Sequence, residues 1–290
     1  MIALGHCIDF IEHPELGGAR SSTLPVIQVR LAEHPGWLRD FKTTAAWASA
    51  SGRRTRYHYL GQRPESYSDA AAWALEVEDT MTLQWRPGAG LLEYVCGRLF
   101  SPERLRFWVL HTWLPLVANL ERGLDILHAS AVVIDGKAHV FSAPSGGGKT
   151  TLASHLASLG HGFLADDSLG LSQRNGHWMA TPSHPFLRSQ REPESLGEPI
   201  ATAVQSPVEL GALFYLKLQP PETPLEAAPQ SGVEKVASIQ GMRFVRSPFL
   251  KREQFESSAA MARDIDVYTL QIPRGPEGLN KVEAFLKQLR

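Results

Sequence analysis

Apolar and polar residues alternate with a period of two through much of the first hundred residues. Residues 73–77 and 81–85 each show this alternation, with tryptophan, leucine, valine and methionine on the apolar side. Because successive side chains of a strand point to opposite faces, the pattern predicts half-buried strands joined in a β-meander. The same reasoning predicts strands at 25–31, 54–59 and 91–96.

The pattern then changes to a helical period. Ser101 is a suitable N-cap, and apolar side chains over residues 105–120 cover a broad face. This predicts a largely buried helix, kinked at Pro115, because proline cannot donate the helical hydrogen bond. We interpret the helix as the connector between a small β-rich accessory domain of residues 1–122 and a second domain of residues 123–290.

Strands and helices alternate through the second region, which predicts an α/β fold. Asp135-Gly136 and Asn175-Gly176 are the dipeptides preferred in two-residue hairpin turns, so each predicts a β-hairpin. Residues 219–232 contain four prolines and no periodicity, which predicts a loop. The other elements predicted here are a strand at 127–134, a strand at 208–218, a helix at 252–261, a strand at 267–272 and a terminal helix through Leu279, Val282, Leu286 and Leu289.

Composition limits the cellular compartment and the classes of binding partner to be expected. The 290 residues carry a formal net charge of −1, which leaves no strongly basic surface for a nucleic acid. The two cysteines, Cys7 and Cys96, are too few for a disulfide framework or a cysteine metal site, which favours a reducing compartment. The chain shows neither a basic leader before an apolar core nor an apolar run of membrane-spanning length. We therefore expect a cytoplasmic protein that binds neither nucleic acid nor membrane.

A glycine-rich segment carries the main chemical signal. Residues 143–150 read Ala-Pro-Ser-Gly-Gly-Gly-Lys-Thr and match the phosphate-loop pattern G-x-x-x-x-G-K-[ST] at every fixed position except the first. A strand before it and an amphipathic helix after it favour a nucleotide site over a plain glycine-serine loop, because backbone N–H groups at a helix N-terminus form an anion cradle. Lys149 would reach the β- and γ-phosphates and Thr150 would ligate Mg²⁺. The predicted nucleotide-binding residues are Ala143, Pro144, Ser145, Gly146, Gly147, Gly148, Lys149, Thr150 and Thr151.

Two further features lie close to this loop in the sequence. A short apolar strand ends at Asp166 and Asp167, only 17 and 18 residues after Lys149. His128 begins the strand of the predicted 135–136 hairpin, and an antiparallel return would bring it to the loop. Taken alone, His128 would be a buried, hydrogen-bonded strand-end histidine.

Together these residues resemble the HPr kinase/phosphorylase family and its HPr-kinase-like relatives, including the kinases of lasso-peptide gene clusters. The family combines a histidine on the strand before the loop, a GxxGxGK[ST] loop and a G-H-x-x-x-A-D-D segment. This chain has His128, the loop ending in Lys149-Thr150, and Gly-His-Gly-Phe-Leu-Ala-Asp-Asp over 160–167, so the resemblance covers roughly residues 124–180. It implies a P-loop kinase core of the HPr kinase / PEP carboxykinase-like type.

The resemblance also implies roles. Asp167 would be the base and Asp166 the metal-side partner, although these two roles could be exchanged. His128 would orient the base or contact the γ-phosphate, and ATP and Mg²⁺ would bind through Lys149 and Thr150. The predicted function is an ATP- and Mg²⁺-dependent kinase acting on a hydroxyl, with a serine of a peptide or small protein as acceptor, such as a lasso-type precursor peptide.

Two alternatives stay open at the level of sequence. Ala143 and Thr151 depart from the family pattern and leave room for a non-catalytic, nucleotide-binding regulatory module. A bifunctional HPr kinase/phosphorylase is a weaker alternative, because no copy of the family's later E-I-R-G-L-G signature follows. The sequence leaves open the acceptor, the preferred nucleotide, the oligomeric state, a homo-oligomer included, and whether Arg188, Arg191, Glu192 or Glu194 join the site.

Overall fold

The computed structural model describes residues 1–18, 21, 23–32, 43–59, 73–85, 88–188, 192–245 and 251–289. The chain is a mixed α/β protein, as the alternation of elements predicts. Its described residues divide into two compact units. The first unit is Met1–Gly123 with the described part of Arg191–Leu196, and the second comprises the described parts of Leu124–Gln190, Gly197–Ser247 and Lys251–Arg290.

The first unit is built on a sheet ordered β1-β2-β3-β9-β8-β7-β6-β4, with β5 paired to β6. The antiparallel run from β6 to β9 confirms the predicted meander. However, β9 also pairs in parallel with β3, and β3 in parallel with β2, so distant segments complete the sheet. Its strands are β1 (Ile2–Ala3), β2 (His6–Phe10), β3 (Val26–Leu31), β4 (Thr43–Thr44), β5 (Ala48–Ala50), β6 (Arg53–Tyr59), β7 (Trp73–Val77), β8 (Met81–Trp85) and β9 (Leu91–Cys96), with a 3₁₀ turn at Pro14–Leu16.

A helical segment follows the sheet and packs within the same unit. It consists of α1 (Pro102–Phe107), a π-helical stretch (Trp108–Trp113) and α2 (Leu114–Arg122). Ser101 caps α1, because its Oγ accepts the Arg104 N–H at 3.3 Å. The kink predicted at Pro115 stays a prediction, and the helix has a π-helical stretch that ends at Trp113, two residues before this proline. Trp113 lies edge-on to Trp85, with ring centroids 5.0 Å apart.

The second unit contains both predicted hairpins. Asp135 and Gly136 join β11 to β12, and Asn175 and Gly176 join β14 to β15. All four have positive φ, as a type I′ turn requires. The elements are β10 (Asp125–Leu127), β11 (Ser130–Ile134), β12 (Lys137–Ser142), α3 (Lys149–Ser158), β13 (Gly162–Ala165), β14 (Leu169–Arg174), β15 (His177–Thr181), β16 (Phe186–Leu187), β17 (Glu198–Pro199), β18 (Val208–Gln219), β19 (Glu226–Pro229), α4 (Gly232–Met242), α5 (Lys251–Asp264), β20 (Val267–Pro273) and α6 (Pro276–Gln288).

Helices cover both faces of the central sheet of this unit. Strands β12, β18 and β20 run parallel, and β11 lies antiparallel between β12 and β13. Val132 and Phe141 share one hydrophobic cluster with side chains of α3 and α6. Ala131 and Val140 face the other way and share a second cluster with side chains of α4 and α5. The alternation along each strand therefore gives a helix–sheet–helix arrangement.

Three details differ from the sequence predictions. The predicted strand at 127–134 is divided, because β10 ends at Leu127 and β11 begins at Ser130, so His128 lies in the connection between them. The predicted loop at 219–232 contains β19, which pairs with β20. Helix α4, which follows β19, is an element that the sequence patterns did not predict.

Among the described helices, none combines the length and the apolar character that crossing a bilayer demands.

Candidate active site

The sheet topology brings the predicted site residues to one edge. Strands β12 and β13 both run antiparallel to β11, so their carboxyl ends lie beside the amino end of β11. The glycine loop, residues 143–148, follows β12, and Asp166 with Asp167 follows β13. His128 lies two residues before the start of β11. Segments up to 39 residues apart in sequence therefore meet at this edge, with His128 and Asp167 in contact.

The glycine loop has a backbone that depends on its glycines. Gly146 and Gly148 have φ values of 80° and 89°, in the left-handed region where a side chain is strained. Gly148 is also the N-cap of α3. A methyl group on Gly147 would lie 2.5 Å from the Ala143 Cβ. The loop thus accepts alanine in place of the pattern's first glycine because Gly147 leaves the space empty.

Lys149 is the first residue of α3 and is only 4% exposed. Its Nζ donates a hydrogen bond to the Ala143 carbonyl at 2.8 Å, across the mouth of the loop. Of the other predicted loop residues, Pro144, Ser145 and Gly146 are exposed, and Thr151 lies on the exposed side of α3. The ammonium group is therefore held over the loop while neighbouring backbone remains open to a ligand.

Asp166 is 3% exposed and is surrounded by donors. The Ser130 hydroxyl and the Arg188 backbone N–H each donate to its carboxylate at 2.9 Å, and the Thr150 hydroxyl is a third hydrogen-bonding neighbour. Burial, with a smaller contribution from the negative charge of Asp167, raises the pKa of Asp166 above its usual range, although the three hydrogen bonds oppose the shift. A nearby cation would relieve the cost of burying this charge.

The residues around the Asp166 carboxylate fit Mg²⁺. Thr150 and Asp166, the two metal ligands that the sequence predicts, lie within hydrogen-bonding reach of each other and offer oxygen donors only. Mg²⁺ prefers such hard oxygen ligands and is usually held by one or two carboxylates together with substrate phosphates and waters. Within the described ranges, no group of three or more His, Cys, Asp or Glu side chains could hold a metal ion.

Asp167 is more open than Asp166, with 17% of its side chain exposed. Its Oδ1 lies 3.3 Å from His128 Nδ1, and its Oδ2 lies 3.2 Å from Arg188 Nη1. The same Nδ1 lies 3.1 Å from the Asp167 carbonyl. Because a carbonyl oxygen can only accept, this contact places a hydrogen on Nδ1. His128 and Arg188 thus fix both carboxylate oxygens of Asp167.

Arg188 is the residue that connects the acidic pair. Its backbone N–H binds Asp166 and its guanidinium binds Asp167, so one residue orients both carboxylates. The sequence indicates only that Arg188 is a candidate phosphate-binding cation. Its approach depends on the chain turning back through β16, which no local pattern predicts.

The other three open candidates have different positions. Arg191 lies outside the described residues. Glu192 and Glu194 belong to the first unit. The Glu194 carboxylate is 6% exposed and binds Arg53 at 2.9 Å, Arg104 at 3.1 Å and the Trp108 indole N–H at 2.8 Å. These partners satisfy the Glu194 carboxylate within that unit.

A cavity of about 480 Å³ opens beside the first half of the glycine loop. One side is formed by the loop, His128 and Tyr215 of β18, and the other by α4. The residues that line it are His128, Ser142, Ala143, Pro144, Ser145, Tyr215, Glu234, Ala237, Ser238 and Gly241. The cavity therefore adjoins both the loop and the histidine that contacts Asp167.

Backbone hydrogen bonds fix α4 to the segment that carries His128. The His128 N–H donates to the Met242 carbonyl at 2.6 Å, and the Phe244 N–H donates to the Ile126 carbonyl at 2.8 Å. The Arg243 guanidinium also forms a buried ion pair with Asp125. Because such a pair is costly to break on one side, it anchors the end of α4 beside β10.

Comparison with known proteins adds little to this geometry. No protein family matches the sequence, and no curated protein is similar to it. Among solved structures, the HPr(Ser) kinase/phosphatase from Coxiella burnetii is a weak structural neighbour, with 16% sequence identity and a TM-score of 0.34 over 57% of this chain and 92% of that chain. A similarity at that level carries no argument about the site, so the functional conclusion depends on the contacts of the residues themselves.

Proposed function

We propose that this protein is an ATP-dependent kinase that transfers the γ-phosphate to a hydroxyl group, with a serine of a peptide or small protein as acceptor. A lasso-type precursor peptide is one such acceptor. The observation that carries the proposal is the meeting of Lys149, Thr150 and the acidic pair at one sheet edge, with the Thr150 hydroxyl against the Asp166 carboxylate.

The chain's own groups would stabilise the phosphates. Phosphoryl transfer has a loose transition state, so positioning and charge neutralisation supply most of the catalysis. The loop N–H groups and the N-terminus of α3 would bind the β- and γ-phosphates, and Lys149 would exchange its Ala143 carbonyl for a phosphate oxygen. Thr150 and Asp166 would hold Mg²⁺, which neutralises phosphate charge when bound.

Asp167 is the group best placed to accept the proton of the acceptor hydroxyl. It is more open to solvent than Asp166, and His128 and Arg188 hold it in one orientation. A carboxylate of ordinary basicity is sufficient, because the hydroxyl proton can leave late in a loose transition state. His128 then acts by orienting Asp167, in keeping with its Nδ1 contacts.

A non-catalytic nucleotide-binding module is the second candidate, and one observation favours it. Both oxygens of Asp167 are already engaged, by His128 and by Arg188, and an inactive protein could keep such an ion-paired carboxylate for stability alone. The kinase proposal requires that Asp167 still accept a proton when the acceptor binds. Substitution of Asp167 separates the two candidates, because only a kinase loses turnover when its proton acceptor is removed.

The test of the proposal is direct. The protein is incubated with ATP·Mg²⁺ and a panel of serine peptides, and the products are identified by mass spectrometry. We expect a phosphopeptide and ADP with the wild type, and neither with Lys149→Ala, which lacks the ammonium that compensates phosphate charge. Wild-type protein that binds ATP but modifies no hydroxyl would favour the binding module.

A second assay tests direction. The phosphopeptide is incubated with excess inorganic phosphate and no ATP. We expect no pyrophosphate, because the later glycine-rich signature that accompanies phosphorolysis in the resembled family has no copy in this sequence. Pyrophosphate release, or efficient phosphorylation of HPr in the first assay, would instead favour the bifunctional alternative.

A further inference from the structure

The cavity beside the glycine loop touches both halves of the proposed site. Lys149 marks the end of the loop that meets the β- and γ-phosphates, and its Nζ rests on the carbonyl of Ala143, which lines the cavity. His128 lines the same cavity and contacts Asp167. The cavity therefore adjoins the carbonyl that holds Lys149 and the histidine that contacts the proposed base.

Its far wall is a single face of α4. Four lining residues lie on one face of the helix, because each of the adjacent residues Ala237 and Ser238 is three or four positions from both Glu234 and Gly241. Three of the four have small side chains, which leaves space between the helix and the loop. The volume of about 480 Å³ is within the ordinary range of ligand sites, about 300–1,000 Å³.

Glu234 gives this wall its charge. Among the described residues that line the cavity it supplies the only carboxylate, and it is exposed to solvent. It lies in the first turn of α4, where the helix dipole contributes about half a positive charge. The full negative charge of Glu234 is opposite in sign to that contribution and larger than it.

We propose that the cavity is the acceptor subsite and that Glu234 selects acceptors with a lysine or arginine next to the reacting hydroxyl. This inference rests on the proposed kinase function, since it assigns the substrate class of that site. The hydroxyl would lie near His128 and Asp167, and the neighbouring cationic side chain would extend along α4 toward Glu234. Charge complementarity of this kind acts mainly on specificity, because a like charge at the same position is repelled.

The experiment compares two serine peptides of equal length, one flanked on both sides by lysine and one by glutamate. Affinities are measured by fluorescence anisotropy with a non-hydrolysable ATP analogue and Mg²⁺ present, and transfer is measured separately with ATP by mass spectrometry. The variant is Glu234→Gln, which keeps the shape but leaves the positive helix end uncompensated. The matched control is Glu277→Gln, an exposed glutamate in the first turn of α6.

The wild type should prefer the lysine peptide by about tenfold, and Glu234→Gln should abolish or reverse that preference, while Glu277→Gln should keep it. Equal affinity of the wild type for the two peptides, no measurable binding of either, or an unchanged preference in Glu234→Gln overturns the inference. Binding that follows the expected pattern without any transfer would refute the kinase function and leave the peptide subsite standing. Phosphate transfer without a charge preference would refute the charge-selective subsite and leave the kinase function standing.

Discussion

At the scale of single residues, the two adjacent aspartates occupy different environments. Asp166 is enclosed by Ser130, Thr150 and the Arg188 N–H, and burial raises its pKa. Asp167 remains partly exposed and meets two side chains that hold it in place. Neighbouring carboxylates in such different surroundings are suited to different tasks. The buried one suits a cation and the open one suits proton transfer.

The first prediction separates these tasks. Asp167→Asn keeps the shape but removes the proton acceptor, so nucleotide binding should persist while kcat and kcat/KM fall together by about 10²–10⁴-fold. Asp166→Asn should instead shift the Mg²⁺ dependence of transfer to higher concentration. Calorimetric titration of ATP and steady-state kinetics over a Mg²⁺ series measure both effects. Near-normal transfer in both variants would refute the assignment of Asp167 as proton acceptor and of Asp166 as metal ligand. Loss of nucleotide binding in Asp167→Asn would refute the assignment of Asp167.

The second prediction concerns Arg188. Arg188→Gln keeps the backbone N–H that binds Asp166 but removes the guanidinium from Asp167. We expect kcat to fall about tenfold or more, because the base loses its orientation, with ATP affinity little changed. Arg188→Lys should recover part of the loss, since it restores the charge without the planar fork. Arg174→Gln, an exposed arginine of β14, is the control. If Arg188→Gln turns over at the wild-type rate, Arg188 has only a structural role.

At the scale of elements, the glycine loop and α3 form one local unit whose backbone depends on close approach. Gly147 faces Ala143 and Gly148 begins the helix. On the other side of the cavity, α4 is joined to the His128 segment through the Met242 carbonyl. The loop is therefore shaped by residues next to it in sequence, whereas the cavity wall is placed by contacts more than a hundred residues away.

The third prediction tests the loop packing. In Gly147→Ala the new methyl group would lie 2.5 Å from the Ala143 Cβ and 3.0 Å from the Pro144 carbonyl oxygen, so the loop must shift. A displacement of this kind should weaken ATP affinity by about tenfold or more. Ala143→Gly alone should bind ATP normally, and in the double variant it should restore part of the lost affinity. Isothermal titration measures the ATP affinity of all three variants. If the double variant binds ATP no more tightly than Gly147→Ala, the packing argument is contradicted.

At the scale of the whole molecule, each unit has its own core and its own buried polar groups. The second unit places His139 inside the sheet, where its ring lies 6.0 Å from that of Phe214 and its Nδ1 has no hydrogen-bond partner among the described residues. Burial lowers the pKa of His139 to about 4, with Asp135 raising it and His161 lowering it to smaller extents. A buried neutral histidine makes stability depend on pH.

The fourth prediction gives the sign of that dependence. The unfolded chain protonates His139 near pH 6.5, whereas the folded chain resists protonation until about pH 4. The contribution to stability is therefore complete above pH 6.5 and is lost as the pH falls from 6.5 toward 4. At about 1.4 kcal/mol per pKa unit, the loss approaches roughly 3 kcal/mol.

His139→Phe should remove this loss and be at least as stable as the wild type at neutral pH, because an unpartnered buried nitrogen is no longer desolvated. Urea unfolding between pH 4 and pH 7.5 measures the effect. His177→Gln, at an exposed position of β15, is the control. An identical pH profile for His139→Phe and the wild type would show that His139 does not carry the dependence.

Local sequence signals determined the elements whose causes are themselves local. The period-two alternation over 73–77 and 81–85 predicted β7 and β8, and the Asp-Gly and Asn-Gly dipeptides predicted both hairpins, because a type I′ turn needs two residues that tolerate positive φ. The glycine loop was also predictable from the sequence, because its backbone needs glycines that tolerate positive φ. The sequence also marked Asp166, Asp167 and His128 as candidates, although their roles stay predictions.

Only the tertiary structure decided which distant residues join them. Arg188 binds the acidic pair, whereas Glu194 pairs with Arg53 in the first unit, although both are charged residues of one polar segment. Helix α4 was not predicted because its small residues and two glycines give a weak apolar stripe, yet this composition makes it a cavity wall. Strand β19 escaped detection among prolines because its pairing with β20 is non-local. Strand pairs and ion pairs between distant segments form only when the fold brings those segments together, and a local sequence pattern does not encode this.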